Sequence, residues 1–300
     1  MRQFFLLSLL SLLGQLSAQS FAPTEADTSL LWRISGNGLD EASHLFGTIH
    51  MIPSDDYFLP TAVEVALNEA DRVAFEIDPR DMQDPTALFS LMGSINMRND
   101  TSLGDLLTEL EYDTVANYFK EAGLPFFFFE KMKPLFIASL VGQDLDLAGG
   151  GFGSNGGIKS YELELTEMAT EADKEILGLE TMEFQLGLFD SIPYGIQARM
   201  LLEAVRSDTG EGEDQFSEMV DMYKRQAVAE MATMISEESN DAGRFEELLL
   251  TRRNENWIAP MVAIMQQGKA FFAVGAGHLG NTKGVIALLR QAGYTVEAVY

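Results

Sequence analysis

The 300-residue chain contains no cysteine. Disulfides, cysteine-based zinc ribbons, iron–sulfur clusters and thiol nucleophiles are therefore excluded, and a transition-metal site has to be built from histidines and carboxylates. Histidine is itself scarce, with three in the chain, His44, His50 and His278. Positive charge is scarce too: 20 Lys plus Arg stand against 46 Asp plus Glu, for a formal charge of −26. So acidic a surface repels phosphate backbones and anionic lipid, which argues against nucleic acid or a membrane surface as partner. It tolerates cations, basic peptides and neutral substrates, and it serves solubility in any case. Hydrophobic residues make up 46% of the chain, enough for a large core.

Long apolar runs are confined to the N-terminus. Arg2 precedes an apolar stretch from Phe4 to Leu13, followed by Ser17-Ala18-Gln19-Ser20. This reads as a secretory signal peptide over residues 1–18, cleaved after Ala18, although Leu16 is bulkier than usual before a cleavage site. An uncleaved anchor is the alternative. No cysteine follows the run to take a lipid. The expected mature chain, 19–300, is a single domain, periplasmic or secreted, with no integral membrane segment. Phe126 to Phe129 is too short to span a bilayer and is flanked by Pro125 and Glu130.

Strand patterns lie mainly near the two ends. Leu31 to Ile34 and His44 to Ile49 flank the turn signal Gly36-Asn37-Gly38 and predict a hairpin. A helix is expected from Pro60 to about Ala70, then a buried strand from Arg72 to Ile77. Helical patterns dominate about 81–170, with starts near Pro85, Ser102, Glu111 and Met132 and a last helix over Lys159 to Glu171. They dominate again over 181–267, including an acidic helix around Glu211 to Glu238. A strand, Lys174 to Leu179, separates these regions. The glycine-rich segment 149–157 reads as a flexible connector, or as the hinge of a lid. The end is a strand from Ala270 to Val274, a turn, a helix from Val285 to Gln291 and a strand from Thr295. The predicted fold class is α/β, a mixed sheet assembled from both ends of the chain with a helical central insertion.

Two of the histidines share a local pattern. Gly47-Thr48-Ile49-His50 and Gly275-Ala276-Gly277-His278 are both Gly-x-x-His after an apolar strand. Glu76 and Glu180 also fall at strand ends. Ligands of open α/β sheets sit beyond the carboxyl ends of the strands, and glycine lets the backbone approach a bound group. Two histidines with one or two glutamates there match a borderline metal ion with open positions, able to activate water. Each residue also has a plainer role: strand-end histidines are often structural, and Glu180 can serve the helix that follows it. His44 has the strand parity of His50 but lies deeper and reads as structural. Gly275 to Gly280 also fits Gly-x-Gly-x-x-Gly, a weak dinucleotide signal, since such a fold needs more strands than the one expected after it. No Gly-x-Ser-x-Gly elbow or His-Glu-x-x-His helix is present.

Taken in order, Leu45 to His50, the strand carrying Glu76, Tyr161-Glu162-Leu163-Glu164, Gly178 to Thr181, Arg253-Asn254 and Gly275 to Leu279 resemble the TraB/PrgY/GumN family from about residue 30 onward. That family is similar to the Tiki proteins, membrane-associated metalloproteases that clip the amino terminus of Wnt ligands. Its wider superfamily includes erythromycin esterase-like and haem-binding ChaN-like proteins. The resemblance implies two related α/β halves with a site at their junction, and His50, Glu76 and His278 at metal or catalytic positions. It implies a divalent ion, manganese, cobalt or zinc. Arg253 matches the family arginine, with a core salt bridge as the alternative to a role on substrate, and Asn254 is expected to orient it. Glu162 and Glu180 match acidic positions, Glu180 as a candidate proton carrier, with Gly47 and Gly275 in support. The activity this implies is metal-dependent hydrolysis of a peptide or small molecule. The alternative is sequestration of a peptide signal or a haem-like ligand without turnover, since some members act in pheromone control. Anchored relatives carry a transmembrane segment after the catalytic domain, whereas this sequence stops at its last expected strand and is expected to be the compact exported form.

Overall fold

The computed structural model describes residues 21–82, 91, 93–142, 145–146, 151–152, 157–210, 215–237 and 245–300. The proposed signal peptide and most of the helix expected near Pro85 lie outside them.

The predicted hairpin forms. Strands β1 (Leu31–Ser35) and β2 (Ser43–Thr48) pair antiparallel, with Leu31 opposite Phe46 and Ile34 opposite Ser43. A two-residue strand, β3 (Ile52–Pro53), follows. Helix α1 (Thr61–Glu69) begins after Pro60 and buries Val63, Ala66 and Leu67, the i, i+3, i+4 face the sequence shows. It leads into β4 (Arg72–Phe75).

Four strands build the frame of the site. To β2 and β4 the chain adds β8 (Glu175–Gly178) and β9 (Ala270–Gly275). With β10 (Thr295–Val299) at one edge, the sheet order is β10-β1-β2-β9-β4-β8. β2, β9, β4 and β8 run parallel, so their carboxyl ends share one side of the sheet. They are rich in buried Val, Ile and Phe, as parallel strands covered on both faces must be. The outer pairings, β1 with β2 and with β10, are antiparallel. Arginine side chains cap a carbonyl on each edge strand: Arg80 Nη2 donates to Ile176 O at 2.8 Å, and Arg290 Nη2 to Val296 O at 2.6 Å.

The helical regions form a second core. Helices α2 (Glu109–Glu121) and α3 (Pro134–Ala138) pack Val115, Phe119 and Ile137 against Leu201, Leu202 and Val205. The start expected near Ser102 is a single 3-10 turn, Leu103–Asp105, and the helix proper starts at Thr108, whose side chain forms a capping box with Glu111. Two minor ribbons pair β5 (Leu145–Asp146) with β6 (Gly151–Phe152) and β3 with β7 (Ile158–Lys159). The glycine-rich segment falls mostly outside the described residues, so its role as lid or connector is not placed. Helix α4 (Tyr161–Glu171) follows. After β8 come α5 (Met182–Phe189), α6 (Tyr194–Asp208), α7 (Gln215–Lys224) and α8 (Val228–Glu237). The sequence predicts one acidic helix where α7 and α8 stand. The chain breaks it at Gln226, in the left-handed region at φ 56°. Helix α9 (Arg252–Met265) grows from a π-helical turn, Glu247–Thr251, and α10 (Val285–Gln291) lies between β9 and β10. Among the described residues no helix is long and apolar enough to cross a membrane.

Gly178 ends β8 where the chains leaving β4 and β8 close together. A Cβ there would meet Asp78 N at 2.8 Å and Glu180 O at 2.9 Å, both backbone atoms. Gly178→Ala is expected to destabilise the fold by about 1–3 kcal/mol, the usual cost of overpacking. Urea denaturation at neutral pH measures it, and an unchanged midpoint would show that this junction is loose.

Candidate active site

The residues singled out by the sequence stand mostly at the shared carboxyl edge of β2, β9, β4 and β8. β2 and β9 are neighbours in register, Thr48 opposite Gly275, so the two Gly-x-x-His motifs leave the sheet side by side. β4 delivers Glu76 and β8 delivers Glu180, and their backbones stay paired past the strands through Glu180 N to Glu76 O at 2.9 Å.

At the centre is the Arg253 guanidinium. Its Nε donates to Glu180 Oε1 at 2.9 Å, and Nη2 donates to the same oxygen at 2.6 Å and to Glu76 Oε2 at 2.5 Å. Nη1 donates to Leu249 O at 3.0 Å and stands 3.2 Å from His278 Nε2. An arginine has five N–H donors, and these contacts use them all. Leu249 belongs to the π-helical turn just before α9, so the local irregularity offers its carbonyl to the side chain four residues on. Trp257, one helical turn beyond Arg253, lies under the guanidinium at 4.9 Å and donates Nε1–H to Glu180 Oε2 at 3.0 Å. Both oxygens of Glu180 are thus engaged in a side chain only 6% exposed. The geometry makes it an anchor for Arg253, whereas the sequence reading offered it as a proton carrier.

Asn254 fixes His278. Its Nδ2 donates to Lys283 O at 3.0 Å, which turns Oδ1 toward His278 Nδ1 at 2.6 Å. Nδ1 therefore carries the proton, and Nε2 accepts from Arg253, while Glu76 Oε1, itself an acceptor, stands 3.6 Å from it. Asn254 orients His278, where the sequence expectation paired it with Arg253. The ring packs against Trp257, centroids 4.5 Å apart. Burial, reinforced by Arg253 and His50 against the pull of Glu76, pushes the His278 pKa down to about 3, so the imidazole is neutral. Burial by itself would raise the Glu76 carboxyl, but the charges around it hold it well below the usual carboxylate range. With His278 neutral, Arg253 and the Gly275 N–H, 2.8 Å from Oε1, keep it ionised. A Cβ on Gly275 would come within 3.2 Å of Glu76 Oε1, so the motif glycine admits this carboxylate to the backbone.

His50 stands at the rim with its side chain 69% exposed. Its Nδ1 lies 3.0 Å from Glu162 Oε1 on α4, and Thr48 donates to the same oxygen at 2.7 Å. Ser160 donates to Glu162 Oε2 at 3.1 Å. The Glu162 carboxylate raises the His50 pKa to about 9, and Glu76 adds to the rise. Gly47 sits within β2, where Tyr223 donates to its carbonyl at 3.0 Å. His44, earlier in β2 and half-buried opposite Arg33, has its pKa lowered by burial and by that arginine, as suits a structural residue.

Sequence reasoning missed Thr48, Ser160, Trp257 and Gln185, whose Nε2 lies 3.3 Å from Glu76 Oε2. Trp257 was detectable as the i+4 neighbour of Arg253; the others owe their places to tertiary contacts alone. The glycine-rich turn after β9 is a 3-10 turn, Ala276–His278, and α10 starts only at Val285. No helix N-terminus therefore meets the turn as a dinucleotide phosphate would require.

The donor chemistry suits a divalent cation. Two ligands of one tetrahedral ion lie about 3.4 Å apart, close to the 3.6 Å between His278 Nε2 and Glu76 Oε1. His50 is near enough for its charge to act on both. Among the described residues, however, no three His, Asp or Glu side chains converge as a ready-made metal cluster.

An α/β sheet with histidines from two adjacent parallel strands, and carboxylates from two more, defines the class of protein. The chain belongs to the TraB/PrgY/gumN family, which it matches over residues 30–298, from just before β1 into β10. It is similar to "Metalloprotease TIKI2" of Danio rerio, 22% identical over 322 residues that cover 90% of this chain and 60% of the relative. The chain therefore spans less than two thirds of that curated relative's length. No solved structure gives a significant match.

The shifted histidines predict opposite pH effects. His278 has a folded pKa below its ordinary 6.5, so its contribution to stability is present above pH 6.5 and is lost as pH falls toward about 3. His50 has a raised value, so its contribution is present below pH 6.5 and is lost as pH rises through about 9. Urea midpoints of His278→Asn should fall less steeply than wild type on the acid side, and those of His50→Gln less steeply on the alkaline side. Parallel profiles for all three proteins would contradict this.

Proposed function

We propose that this protein is a metal-dependent hydrolase, peptidase-like in substrate, acting in the periplasm or outside the cell. One observation carries the reading. Both motif histidines have Nδ1 engaged by an oxygen acceptor, His50 by Glu162 and His278 by Asn254. That is the arrangement that orients a metal-binding imidazole and leaves Nε2 as the donor. The similarity to a relative named as a metalloprotease supports it.

In this reading His278, Glu76 and His50 would hold the ion, manganese, cobalt or zinc. Such an ion supplies an activated water and polarises a carbonyl. The remaining work belongs to the chain. Asn254 fixes the His278 tautomer, and burial keeps that ring neutral, as a ligand must be. Glu162 aligns His50. Arg253 keeps Glu76 ionised, and Glu180 with Trp257 keeps Arg253 in place. Proton transfer falls to a carboxylate with access to solvent. Glu162, 21% exposed, has that access, and Glu180 does not. The acidic surface suits a neutral or basic peptide.

Metal content of the purified protein after loading with manganese, cobalt or zinc tests the proposal, with His50→Ala/His278→Ala in parallel. Stoichiometric metal and peptide hydrolysis in wild type are expected, with metal lost from the folded double variant and turnover down at least 100-fold, as second-row effects alone reach that range. Ligand binding by the chain, with no metal and no product under any loading condition, would instead establish the sequestration reading.

A further inference from the structure

The same guanidinium that organises the site also stands in the way of a cation. Arg253 Nη1 lies 3.2 Å from His278 Nε2, the lone pair a metal ion would take, and Nη2 holds Glu76 Oε2 at 2.5 Å. Its other donors are fixed on Glu180 and Leu249, and its face on Trp257. Both partners of a would-be ion are therefore already satisfied by a resident positive charge. We infer that Arg253 is an internal competitor for the cation: a divalent ion binds His278 and Glu76 only by displacing the Arg253 guanidinium from His278, so the site alternates between an arginine-closed and a cation-bound state. This rests on the proposal above that His278 and Glu76 bind a divalent ion.

The displacement has a local consequence. Glu180 still holds Nε, so the guanidinium is not expelled but turned, and its stacking on Trp257 changes with it. Cation binding is then reported by an indole that touches both Arg253 and His278. Because a unit positive charge is removed from a few ångströms away, substituting Arg253 by a neutral residue should tighten binding on the order of tenfold or more.

The test is calorimetric titration of the full-length protein with zinc alone, comparing wild type, Arg253→Gln and His278→Ala. Binding that His278→Ala abolishes, and that Arg253→Gln tightens at least tenfold, is the expected result. Equal or weaker zinc binding by folded Arg253→Gln overturns the inference while leaving the metal site standing. No zinc binding by either wild type or Arg253→Gln removes the metal reading and this inference together. Should Arg253→Gln fail to fold, tryptophan emission of the wild type decides the matter. Zinc is expected to shift it, and Trp257→Phe to abolish the shift. Unchanged emission at calorimetric saturation would show that Arg253 does not move.

Discussion

The structure turns on one buried guanidinium. Arg253 ties the ends of β4 and β8 together through Glu76 and Glu180, and reaches from α9 to the motif that follows β9 through His278. Two carboxylates this close and this buried repel each other, and a buried charge without a partner is strongly destabilising, at about 3–5 kcal/mol when one member of a pair is removed. The arginine makes their juxtaposition tolerable. Around it the remaining polar atoms fall into place: the Trp257 indole on the second Glu180 oxygen, the Gly275 amide on Glu76, and the Asn254 amide behind His278.

The two histidines make an instructive contrast. They come from matching motifs on adjacent parallel strands, and each has Nδ1 held by an oxygen acceptor. Their electrostatic states nonetheless differ. His278 is enclosed beside a guanidinium and stays neutral, whereas His50 stands in the open against a carboxylate and holds its proton. A shared sequence pattern therefore places the rings, and the surroundings assign the charge. Metal binding at both rings, as proposed, would require Arg253 to leave His278 and His50 to release its proton.

Much of the frame was legible from local pattern. The hairpin of β1 and β2, helix α1 and the closing β9–α10–β10 unit follow from alternation, helical periodicity and turn glycines, because those signals lie within a few residues of the elements they define. The errors have local physical causes as well. Ser102 carries a capping box but no periodic apolar face behind it, and makes one turn only. The acidic stretch near Gln226 has no proline or glycine to mark its break, which is set by packing of α7 and α8. Of the candidate site, His50, Glu76, Glu162, Glu180, Arg253, Asn254 and His278 were visible as strand-end or family-matching residues. The work each one does was not.

The sequence by itself determined which residues reach the carboxyl edge of the sheet, since strand termini and motif glycines are encoded within short segments. It also determined, by the absence of cysteine and the scarcity of histidine, that any metal here must rest on imidazole and carboxylate. Only the tertiary structure decided that Glu180 spends both oxygens on Arg253 and Trp257, that Asn254 bonds His278, and that Arg253 uses every donor it has inside the site. Those assignments depend on distances between segments up to 177 residues apart, as from Glu76 to Arg253. Hydrogen-bond partners and burial across such separations are properties of the packed chain, and no local pattern carries them.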